Sequence, residues 1–499
     1  MGLARLRSRG QSGLQAFAVD VEVHLGNGLP SFAITGLPTA TVRESKDRVR
    51  AALQNCGFDL PARRITAHLG PADIPKDGGR FDLPIALGVI SADKQLAWQT
   101  NDIEFIGELA LGGELRPVTG ALPAVLAARD ARRRIVIPAA NAAEAGLVQG
   151  AEVYAAQSLR EVLDELNGVA KLERVTATQP LTADRVGADL SDVRGHALAK
   201  RALTVAAAGG HNLLMIGPPG SGKSMLAERL RGILPPLGWN ELLHVASIAS
   251  VAGDQSVLSQ GLAPPFRAPH HTCSAAALIG GGPRPRPGEV SLAHRGVLFL
   301  DELPEFSRAA LEALREPIES GVVRISRVRE QVSFPAEFQL IAAMNPCPCG
   351  YRGDGTDRCL CSPGRVLQYR GRVSGPLLDR FDIQIEVPQV SFEDLALASS
   401  SLDSERARQQ VAMARARQLD RHAILNVRLN DEQLWSAAAL SRTAHDLLQQ
   451  AVTRWRLSAR SIVRVLRLTR TVADLDASAD PTAEHLAEAL QLRCLDRSL

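Results

Sequence analysis

The chain has 499 residues, of which 45% are hydrophobic and 4% aromatic, and its 57 Lys and Arg against 54 Asp and Glu leave a formal net charge of +3. Since single cores rarely exceed roughly 300 residues, we expect several domains. The small net charge excludes a protein that coats nucleic acid, and the few aromatics argue against an extended base-stacking surface. No apolar run approaches the ~20 residues that cross a bilayer, and MGLARLRSRG lacks a signal-peptide apolar stretch, so the expected location is the cytoplasm.

The chain divides into successive segments. Residues 1–166 alternate β-branched runs with helical patterns, which predicts an α+β domain, and residues 167–190 have the polar and proline content of a linker. Residues 191–390 alternate strands and helices in the manner of a parallel α/β sheet. Residues 391–499 are predicted to form an all-helical domain, with amphipathic runs at 403–420, 431–451, 458–475 and 482–493.

A phosphate-binding loop is predicted at GPPGSGKS, because an apolar strand at 211–216 precedes it and a helical run ended by Pro235 follows it. The glycines allow backbone N–H groups to close around phosphate oxygens, and the helix N-terminus adds favourable dipole charge. Lys223 would contact the β and γ phosphates of ATP, and Ser224 would bind Mg²⁺. The predicted nucleotide-binding residues are Gly217, Pro218, Pro219, Gly220, Ser221, Gly222, Lys223 and Ser224.

Two further apolar strands end in polar side chains that would complete this site. The run at 297–300 ends in Asp301, predicted to complete the Mg²⁺ shell, and in Glu302, predicted to orient and polarise the attacking water. An isolated acidic pair after a strand is more often solvated, but this pair follows an intact phosphate loop. The strand FQLIAAM delivers Asn345 to the same edge, where it would fix the water or the γ-phosphate, or simply form a turn before Pro346.

Four of the seven cysteines form two C-x-C knuckles separated by nine residues. Four such thiolates can bind Zn²⁺ tetrahedrally at a structural site, and reduced structural thiols are the alternative. The predicted ligands are Cys347, Cys349, Cys359 and Cys361. His270 and His271 beside Cys273 also suggest a metal, but adjacent residues point apart in an extended chain, so we prefer a structural or interface role for them.

Longer motifs resemble one protein family. They are FRAPHHT at 266–272, RPGEVSLAHRGVLFLDELPEF at 286–306, AAMNPCPCG at 342–350, SGPLLDRFD at 374–382 and SARS at 458–461. Together with GPPGSGKS they resemble the Mg-chelatase-like AAA+ ATPases of the competence protein ComM (YifB) type, over nearly the whole chain. The resemblance implies a hexameric helicase, dependent on ATP and Mg²⁺, that promotes branch migration while single-stranded DNA is integrated during natural transformation.

The same resemblance implies that Asn345 is sensor 1 and that Arg380 is an arginine finger, which reaches the γ-phosphate bound by a neighbouring subunit. A guanidinium supplied from outside the loop stabilises charge on the transferring phosphoryl group. The alternative for Arg380 is a salt bridge to Asp379 or Asp382.

Arg460, in the SARS motif, would be sensor 2 according to the resemblance. The alternative is a solvated basic helix face, because further arginines follow it at helical spacing. These arginines are Arg464, Arg467 and Arg470.

The segment EPIESGVVRISRVREQVSFPAEF at 316–338 predicts a β-hairpin with VVRI and QVSF as its arms. In related helix-2-insert AAA+ proteins, a hairpin before sensor 1 projects into the central pore. Arg324, Arg327 and Arg329 would then contact DNA phosphates without reading sequence. Solvated arginines on a surface hairpin are the alternative.

In the first domain, PADIPKDGGRFDLPIALG and GELALGGELRPVTGALPAVLAARDARRRIVIP resemble the S5 domain 2-like proteolytic domain of Lon-type proteases. By motif alignment, the nucleophilic Ser and activating Lys of that family would fall on Arg80 and Pro123. Neither residue can perform Ser–Lys chemistry, which argues against a protease. The domain is interpreted as a scaffold for ring assembly or DNA contact.

A DNA-translocating helicase is therefore the favoured function, with DNA of any sequence and further copies of the chain as partners and no membrane partner. A magnesium-chelatase motor subunit would share the AAA+ motifs but is not expected to carry the Lon-like domain. A protein-remodelling ATPase would more typically present aromatic pore residues than an arginine-rich hairpin.

Overall fold

The computed structural model describes residues 2–94, 98, 100–178, 189–282, 285–327, 330–355, 357–390 and 403–497. The strands are β1 (Gly2–Ser12), β2 (Gln15–Gly26), β3 (Ser31–Thr35), β4 (Arg64–Gly70), β5 (Ile103–Phe105), β6 (Glu108–Leu109), β7 (Leu115–Arg116), β8 (Arg134–Pro138), β9 (Val153–Ala156), β10 (Glu173–Arg174), β11 (Leu213–Ile216), β12 (Phe266–Arg267), β13 (Gly280–Gly281), β14 (Arg286–Pro287), β15 (Val297–Leu300), β16 (Val322–Arg327), β17 (Glu330–Pro335), β18 (Gln339–Met344) and β19 (Ile383–Glu386).

The α-helices are α1 (Ala40–Asn55), α2 (Asp82–Lys94), α3 (Ala121–Asp130), α4 (Ala142–Ala145), α5 (Leu159–Leu166), α6 (Ala197–Gly209), α7 (Lys223–Ile233), α8 (Trp239–Ala252), α9 (Ser256–Gln260), α10 (Ala275–Ile279), α11 (Glu289–Leu292), α12 (Arg308–Ala313), α13 (Arg315–Ser320), α14 (Pro363–Arg370), α15 (Gly375–Leu378), α16 (Ser404–His422), α17 (Asp431–Ala437), α18 (Arg442–Trp455), α19 (Ala459–Leu475) and α20 (Ala483–Gln491). Internal contacts divide the chain into two compact units, 1–181 with 242–261, and 182–241 with 262–499.

The first unit is an α+β domain built on an eight-stranded sheet in the order β10-β9-β8-β5-β1-β2-β4-β3. Its first two strands form a long antiparallel pair that runs from Gly2↔Leu25 to Ser12↔Gln15. Strand β1 was not predicted from the sequence, because arginines alternate through it. The innermost of them, Arg9, is buried and pairs with the fully buried Glu104 at 2.6 Å, so a polar residue takes an interior position.

Residues 242–261 pack with the first unit, although the sequence pattern assigned them to the segment 191–390. In α8, Ser250 joins the start of α3: its carbonyl accepts from the Gly120 N–H at 2.8 Å, and its hydroxyl accepts from the Leu122 N–H at 3.3 Å. Most α8 side chains from Leu242 to Ser250 are buried. A helix that is apolar nearly all round carries no periodic signal of which sheet covers it, so the pattern could not place it.

The second unit contains a five-stranded parallel sheet in the order β12-β15-β18-β11-β19. The C-terminal helices share one hydrophobic core with this sheet, since Leu213 of β11, Leu226 of α7 and Leu468 of α19 belong to the same cluster of buried side chains. The predicted class, a parallel α/β core followed by a helical region, is confirmed. The predicted helix at 431–451 is wrong in one respect: α17 ends at Ala437, and Ser441 begins α18 as its N-cap, accepting from the Ala444 N–H at 3.3 Å.

Within the described ranges, no helix is both long enough and apolar enough to cross a membrane.

Candidate nucleotide site and its surroundings

The predicted phosphate-binding loop connects β11 to α7. The Gly217 N–H donates to the Met344 carbonyl at 3.1 Å, which ties the loop to the neighbouring β18. A Cβ at Gly217 would lie 2.1 Å from the Val387 carbonyl oxygen, and Gly222 has a φ of +83°. Glycine is thus required at 217 by the close backbone approach and favoured at 222 by the left-handed conformation. The loop then ends at Lys223, the first residue of α7.

The Lys223 side chain folds back over the loop. Its ammonium donates to the carbonyls of Gly217 and Pro218, each at 2.8 Å, and lies 3.4 Å from the Asn345 Oδ1. Burial lowers the pKa of Lys223, whereas the carboxylate of Asp301 raises it. The ammonium is therefore held beside the loop backbone, where phosphate oxygens would be stronger acceptors than neutral carbonyls.

The candidate Mg²⁺ ligands are Ser224, in the first turn of α7, and Asp301, directly after β15, and their side chains contact each other. The Ser224 hydroxyl donates to the Asp301 Oδ2 at 2.6 Å, and the Glu302 N–H donates to the Asp301 Oδ1 at 2.9 Å. A hydroxyl and a carboxylate are oxygen ligands of the kind that Mg²⁺ prefers. Because β11, β15 and β18 are parallel neighbours, their carboxyl ends bring Lys223, Asp301 and Asn345 to one sheet edge, as the sequence predicts.

Glu302 adopts a left-handed backbone with a φ of +52°, which is unfavourable for a residue with a Cβ. Its carboxylate lies 3.1 Å from the Nδ1 of His271. Strand β12 is parallel to β15, so the chain after Arg267 leaves the sheet at the carboxyl edge and brings His271 there. From the sequence, His271 was given only a structural or interface role. Its position after β12, a short strand parallel to β15, is the signal that could have placed it beside Glu302.

The four predicted cysteine ligands come together. Their sulfur atoms all lie within 4.8 Å of one another, with Cys347 at 3.3 Å from Cys349 and 3.7 Å from Cys359. Zinc–sulfur bonds of about 2.3 Å in a tetrahedron place sulfur atoms ~3.8 Å apart, so the cluster fits Zn²⁺. The backbone N–H of Tyr351 and the Cys347 thiol lower the pKa of Cys349 to about 7. By contrast, burial and the neighbouring cysteines raise the pKa of Cys359 to about 11 and also raise that of Cys361. Binding of a metal would therefore have to displace protons from the last two thiols.

The cysteine cluster adjoins the phosphate-binding loop. Gly350, between the ligands Cys349 and Cys359, has a φ of +87°, and a Cβ there would lie 2.5 Å from the Pro219 ring and 3.8 Å from the Asn345 side chain. The knuckle backbone therefore packs directly on the loop and on Asn345. A change in the cluster would move residues of the nucleotide site.

Arg380 lies at the amino-terminal ends of the strands, called here the amino edge of the sheet, opposite the carboxyl edge that carries the phosphate-binding loop. It precedes β19, which pairs with β11 in parallel from Leu213↔Ile383 to Ile216↔Glu386. Its guanidinium Nη2 lies 2.5 Å from the Glu319 Oε1, and only 10% of its side chain is exposed. The alternative of a salt bridge to Asp379 or Asp382 is therefore wrong about the partner.

Arg460 is exposed at the start of α19, but the arginines that follow it are not a solvated face. Arg464 is buried and lies 3.6 Å from Asp382, in the segment that carries Arg380. Arg470 is 2% exposed and pairs with Asp474 at 2.8 Å. The alternative of a solvated basic face is thus wrong for Arg464 and Arg470, because both guanidinium groups have acidic partners inside the unit.

The predicted hairpin is confirmed as β16 and β17, which pair antiparallel from Val322↔Pro335 to Arg327↔Glu330. The Arg324 side chain is 60% exposed and lies 4.0 Å from Glu316. Arg329 and the side chain of Arg327 lie outside the described residues.

In the first unit, the position aligned with the Lon-type serine holds a structural arginine. Arg80 is 5% exposed, and its guanidinium donates to the Gln11 Oε1 at 2.6 Å and to the Thr119 carbonyl. Burial lowers the pKa of Arg80 to about 10, although Asp77 raises it. Pro123 lies buried in α3. The two side chains fill the unit's interior and supply no nucleophile.

Models of the magnesium chelatase family match three parts of the chain. The model described as magnesium chelatase, subunit ChlI, matches residues 189–395; subunit ChlI of Mg-chelatase matches 21–141; and magnesium chelatase, subunit ChlI C-terminal, matches 401–493. These matches span both units and the helical tail.

Competence protein ComM of Haemophilus influenzae is 46% identical over 505 residues, which cover 100% of this chain and 99% of that protein. YifB of Salmonella typhimurium is 45% identical over 501 residues, or 100% and 98% of the two chains. Lon protease 2 of Bacillus subtilis is 32% identical over 98 residues, 19% of this chain and 18% of the protease. With full-length identity at this level, the chain belongs to the Mg-chelatase-like AAA+ family of the ComM and YifB type.

Proposed function

We propose that the chain hydrolyses ATP with Mg²⁺ and uses the energy to move DNA strands. The observation that carries the proposal is the meeting of Lys223, Ser224, Asp301 and Asn345 at one sheet edge, linked by contacts of 2.6 to 3.4 Å. Lys223 contacts the β and γ phosphates, and Asn345 orients the terminal one. When bound by Ser224 and Asp301, Mg²⁺ neutralises charge on the phosphates.

Glu302 orients and polarises the water that attacks the γ-phosphate. The His271 ring, 3.1 Å from the Glu302 carboxylate and located in the chain that follows β12, fixes the direction of that carboxylate. A positioned carboxylate of this kind contributes roughly 10²- to 10⁴-fold to the rate. His271 is therefore a positioning residue for Glu302.

Arg380 acts in trans, on ATP bound by a neighbouring copy. Arg460 acts as sensor 2. The four residues of β11 separate the Arg380 edge of the sheet from the phosphate loop, a distance of ~13 Å at ~3.3 Å per residue. This exceeds the reach of a guanidinium toward its own site, which supports a head-to-tail ring in which each subunit completes its neighbour's site. A homohexamer is the ring size expected from the family resemblance.

DNA is the proposed substrate of the motor, contacted by Arg324, Arg327 and Arg329 of the hairpin. An exposed Arg324 on the hairpin suits contacts with phosphates of any sequence. The name of the relative, competence protein ComM, supports a role in competence, and the family resemblance implies that this role is the integration of incoming DNA. Branch migration, in which one strand replaces another, is the reaction that such a motor would drive.

The cysteine cluster is proposed to hold a structural Zn²⁺ through Cys347, Cys349, Cys359 and Cys361. Four thiolates leave no open coordination position, so the metal takes no part in catalysis. Its role is to fix Gly350 against Pro219 and so to brace the nucleotide site. We propose the domain boundaries 1–166, 167–190, 191–390 and 391–499, except that residues 242–261 pack with the first unit and that β10, inside the segment 167–190, belongs to the sheet of that unit.

Magnesium-chelatase motor activity is the second candidate, because the matching family models carry that description. Protein remodelling is a third, which the arginine hairpin disfavours. The deciding experiment measures ATP hydrolysis by the full chain with a three-strand DNA junction, with single-stranded DNA and with an unfolded protein. We expect stimulation by DNA together with strand exchange on the junction. Indifference to every DNA, with stimulation by unfolded protein, would refute the DNA motor.

A further inference from the structure

The short helix α13 connects the two arginines that the proposed function assigns to different partners. Only Gly321 separates this helix from the hairpin strand β16. The helix carries two acidic residues about one turn apart. Glu316 lies 4.0 Å from Arg324 of the hairpin, and Glu319 lies 2.5 Å from Arg380. One rigid element of six residues therefore contacts both the DNA-facing arginine and the arginine finger.

The finger is held inside its own subunit by this arrangement. The Arg380 side chain is 10% exposed, whereas Glu319 is 61% exposed. The Arg380 Nη1 donates to the Pro376 carbonyl at 3.2 Å, and its buried Nε has no hydrogen-bond partner among the described residues. Glu319 is thus the only carboxylate within ion-pair distance of Arg380 in the described part of the chain. A guanidinium engaged in this way is withheld from the phosphate of a neighbouring subunit.

The joint between helix and hairpin is suited to transmit movement. Gly321 has a φ of +67°, and a Cβ at this position would lie 2.9 Å from the Glu337 side chain. The Gly321 carbonyl also accepts from the Ala336 N–H at 2.8 Å, after the second hairpin strand. A tightly packed turn of this kind allows little independent motion of the elements that it joins.

We propose that Glu319 is a positioning residue that restrains Arg380 in its own subunit, and that DNA binding at the hairpin releases the finger through α13. DNA phosphate and Glu316 are both anions that compete for Arg324. When phosphate replaces Glu316, the ion pair between α13 and Arg324 is lost and the hairpin is drawn toward the DNA. The tight joint at Gly321 passes this movement to α13, which disturbs the pairing of Glu319 with Arg380. Hydrolysis is thereby restrained until DNA is present. This inference rests on the proposed function, in which Arg380 acts in trans and the hairpin contacts DNA.

The test compares ATP hydrolysis by the parent and by Glu319→Gln, as assembled full-length chains, with and without a three-strand DNA junction. Without DNA, the variant should hydrolyse ATP about two- to fivefold faster, the range that a partly exposed ion pair supports. The KM for ATP should be unchanged, because Glu319 lies far from the nucleotide of its own subunit. The stimulation by DNA should shrink by the same factor.

Matched variants separate restraint from general damage. Glu405→Gln removes an exposed carboxylate of α16, away from α13 and Arg380, and it should behave as the parent. Glu319→Asp keeps a carboxylate and should restore part of the DNA dependence. In an Arg380→Ala background, Glu319→Gln should have no further effect. Light scattering of each assembly confirms that the ring is retained.

A rate without DNA equal to that of the parent overturns the restraint by Glu319. A rate that falls as far as that of Arg380→Ala also overturns it, because Glu319 would then hold the finger in its active position. Different results would show that the proposed function itself is wrong. Full activity of Arg380→Ala refutes the finger, and absence of DNA stimulation in the parent refutes the motor on DNA.

Discussion

The two edges of the parallel sheet differ in how their functional residues are held. At the carboxyl edge, Lys223, Asp301 and Asn345 each lie directly after or at the start of a short element, and contacts between strand ends hold them together. At the amino edge, Arg380 is held by Glu319 of α13, and its neighbour Asp382 by Arg464 of α19. At the carboxyl edge, the contacts are therefore made between residues at the ends of neighbouring strands. The amino edge depends on helices that arrive from distant parts of the chain.

The strongest test of this comparison mixes two inactive variants. Lys223→Ala removes the phosphate contact and Arg380→Ala removes the finger, and each alone should reduce ATP hydrolysis by about 10³-fold or more. Because the proposed site combines Lys223 of one subunit with Arg380 of the next, an equal mixture should recover about a quarter of the parent rate if sites act independently. The measurement is steady-state phosphate release after the variants are co-assembled.

No recovery in mixed rings would place both residues in one subunit's site and refute the trans arrangement. A mixture of Lys223→Ala with the exposed-surface variant Glu405→Gln serves as the control. That mixture should fall to about half of the parent rate, because half of the phosphate loops in independent sites are intact.

Replacement of the candidate water-orienting residue should have the next largest effect. Glu302→Gln should reduce turnover by about 10²- to 10³-fold, since an amide cannot polarise water as a carboxylate does. Binding of ATP should survive, because Lys223 and Ser224 are untouched. Turnover and nucleotide affinity, measured separately, check this prediction. Loss of affinity together with turnover would mean that Glu302 organises the loop instead of the water.

The carboxyl edge was predictable from the sequence because its chemistry follows strand ends. GPPGSGKS and the acidic pair after an apolar run locate Lys223 and Asp301 without knowledge of tertiary contacts. The amino edge was not predictable in the same way. The partner of Arg380 was expected among its neighbours, yet it is Glu319, 61 residues earlier in the chain. Likewise, Arg464 and Arg470 have the helical spacing of a surface stripe, but acidic partners from outside that pattern allow their burial.

The same limit applies to the first unit. The β-branched runs RRITAHL at 63–69 and RRRIVIP at 132–138 form β4 and β8, because strand-like alternation of side chains is visible in the sequence itself. Strand β1 was missed, since a buried ion pair between Arg9 and Glu104 compensates for charge at an interior position. Sequence patterns report hydrophobic periodicity, whereas pairing between distant polar residues leaves no period to detect.

The stability of the protein should depend strongly on one buried charge at the amino edge, that of Asp382. Asp382 is 4% exposed and accepts from the Asn212 N–H at 3.2 Å, with Arg464 at 3.6 Å. Asp382→Asn should lower the free energy of unfolding by about 3 kcal/mol near pH 7, because it leaves the buried guanidinium of Arg464 with the more exposed and more distant Asp379, at 4.0 Å, as its carboxylate partner. Denaturant unfolding of the parent and of the variant measures this difference.

The difference in the free energy of unfolding between the parent and Asp382→Asn should become smaller in acid. Burial raises the pKa of Asp382, but the His211 ring, whose Nδ1 lies 3.6 Å away, and the charge of Arg464 lower it by more, so the net pKa is below the ordinary value. An unfolded aspartate titrates near pH ~3.9. The stabilisation by Asp382 is therefore complete above that pH and is lost as pH falls through the depressed pKa. A difference that grew in acid would contradict this sign.

The smallest expected effect concerns the brace between the cysteine cluster and the carboxyl edge. Cys361→Ser removes one of four sulfur ligands, and it should lower the melting temperature by on the order of 5 °C. ATP turnover should fall with it, because Gly350 packs on Pro219 and adjoins Asn345. Cys56→Ser, in the first unit and outside the cluster, should change neither quantity. Metal content determined on the same preparations decides the cause: stoichiometric zinc in the parent and its loss in Cys361→Ser support the brace, whereas a metal-free parent with unchanged stability in Cys361→Ser refutes it.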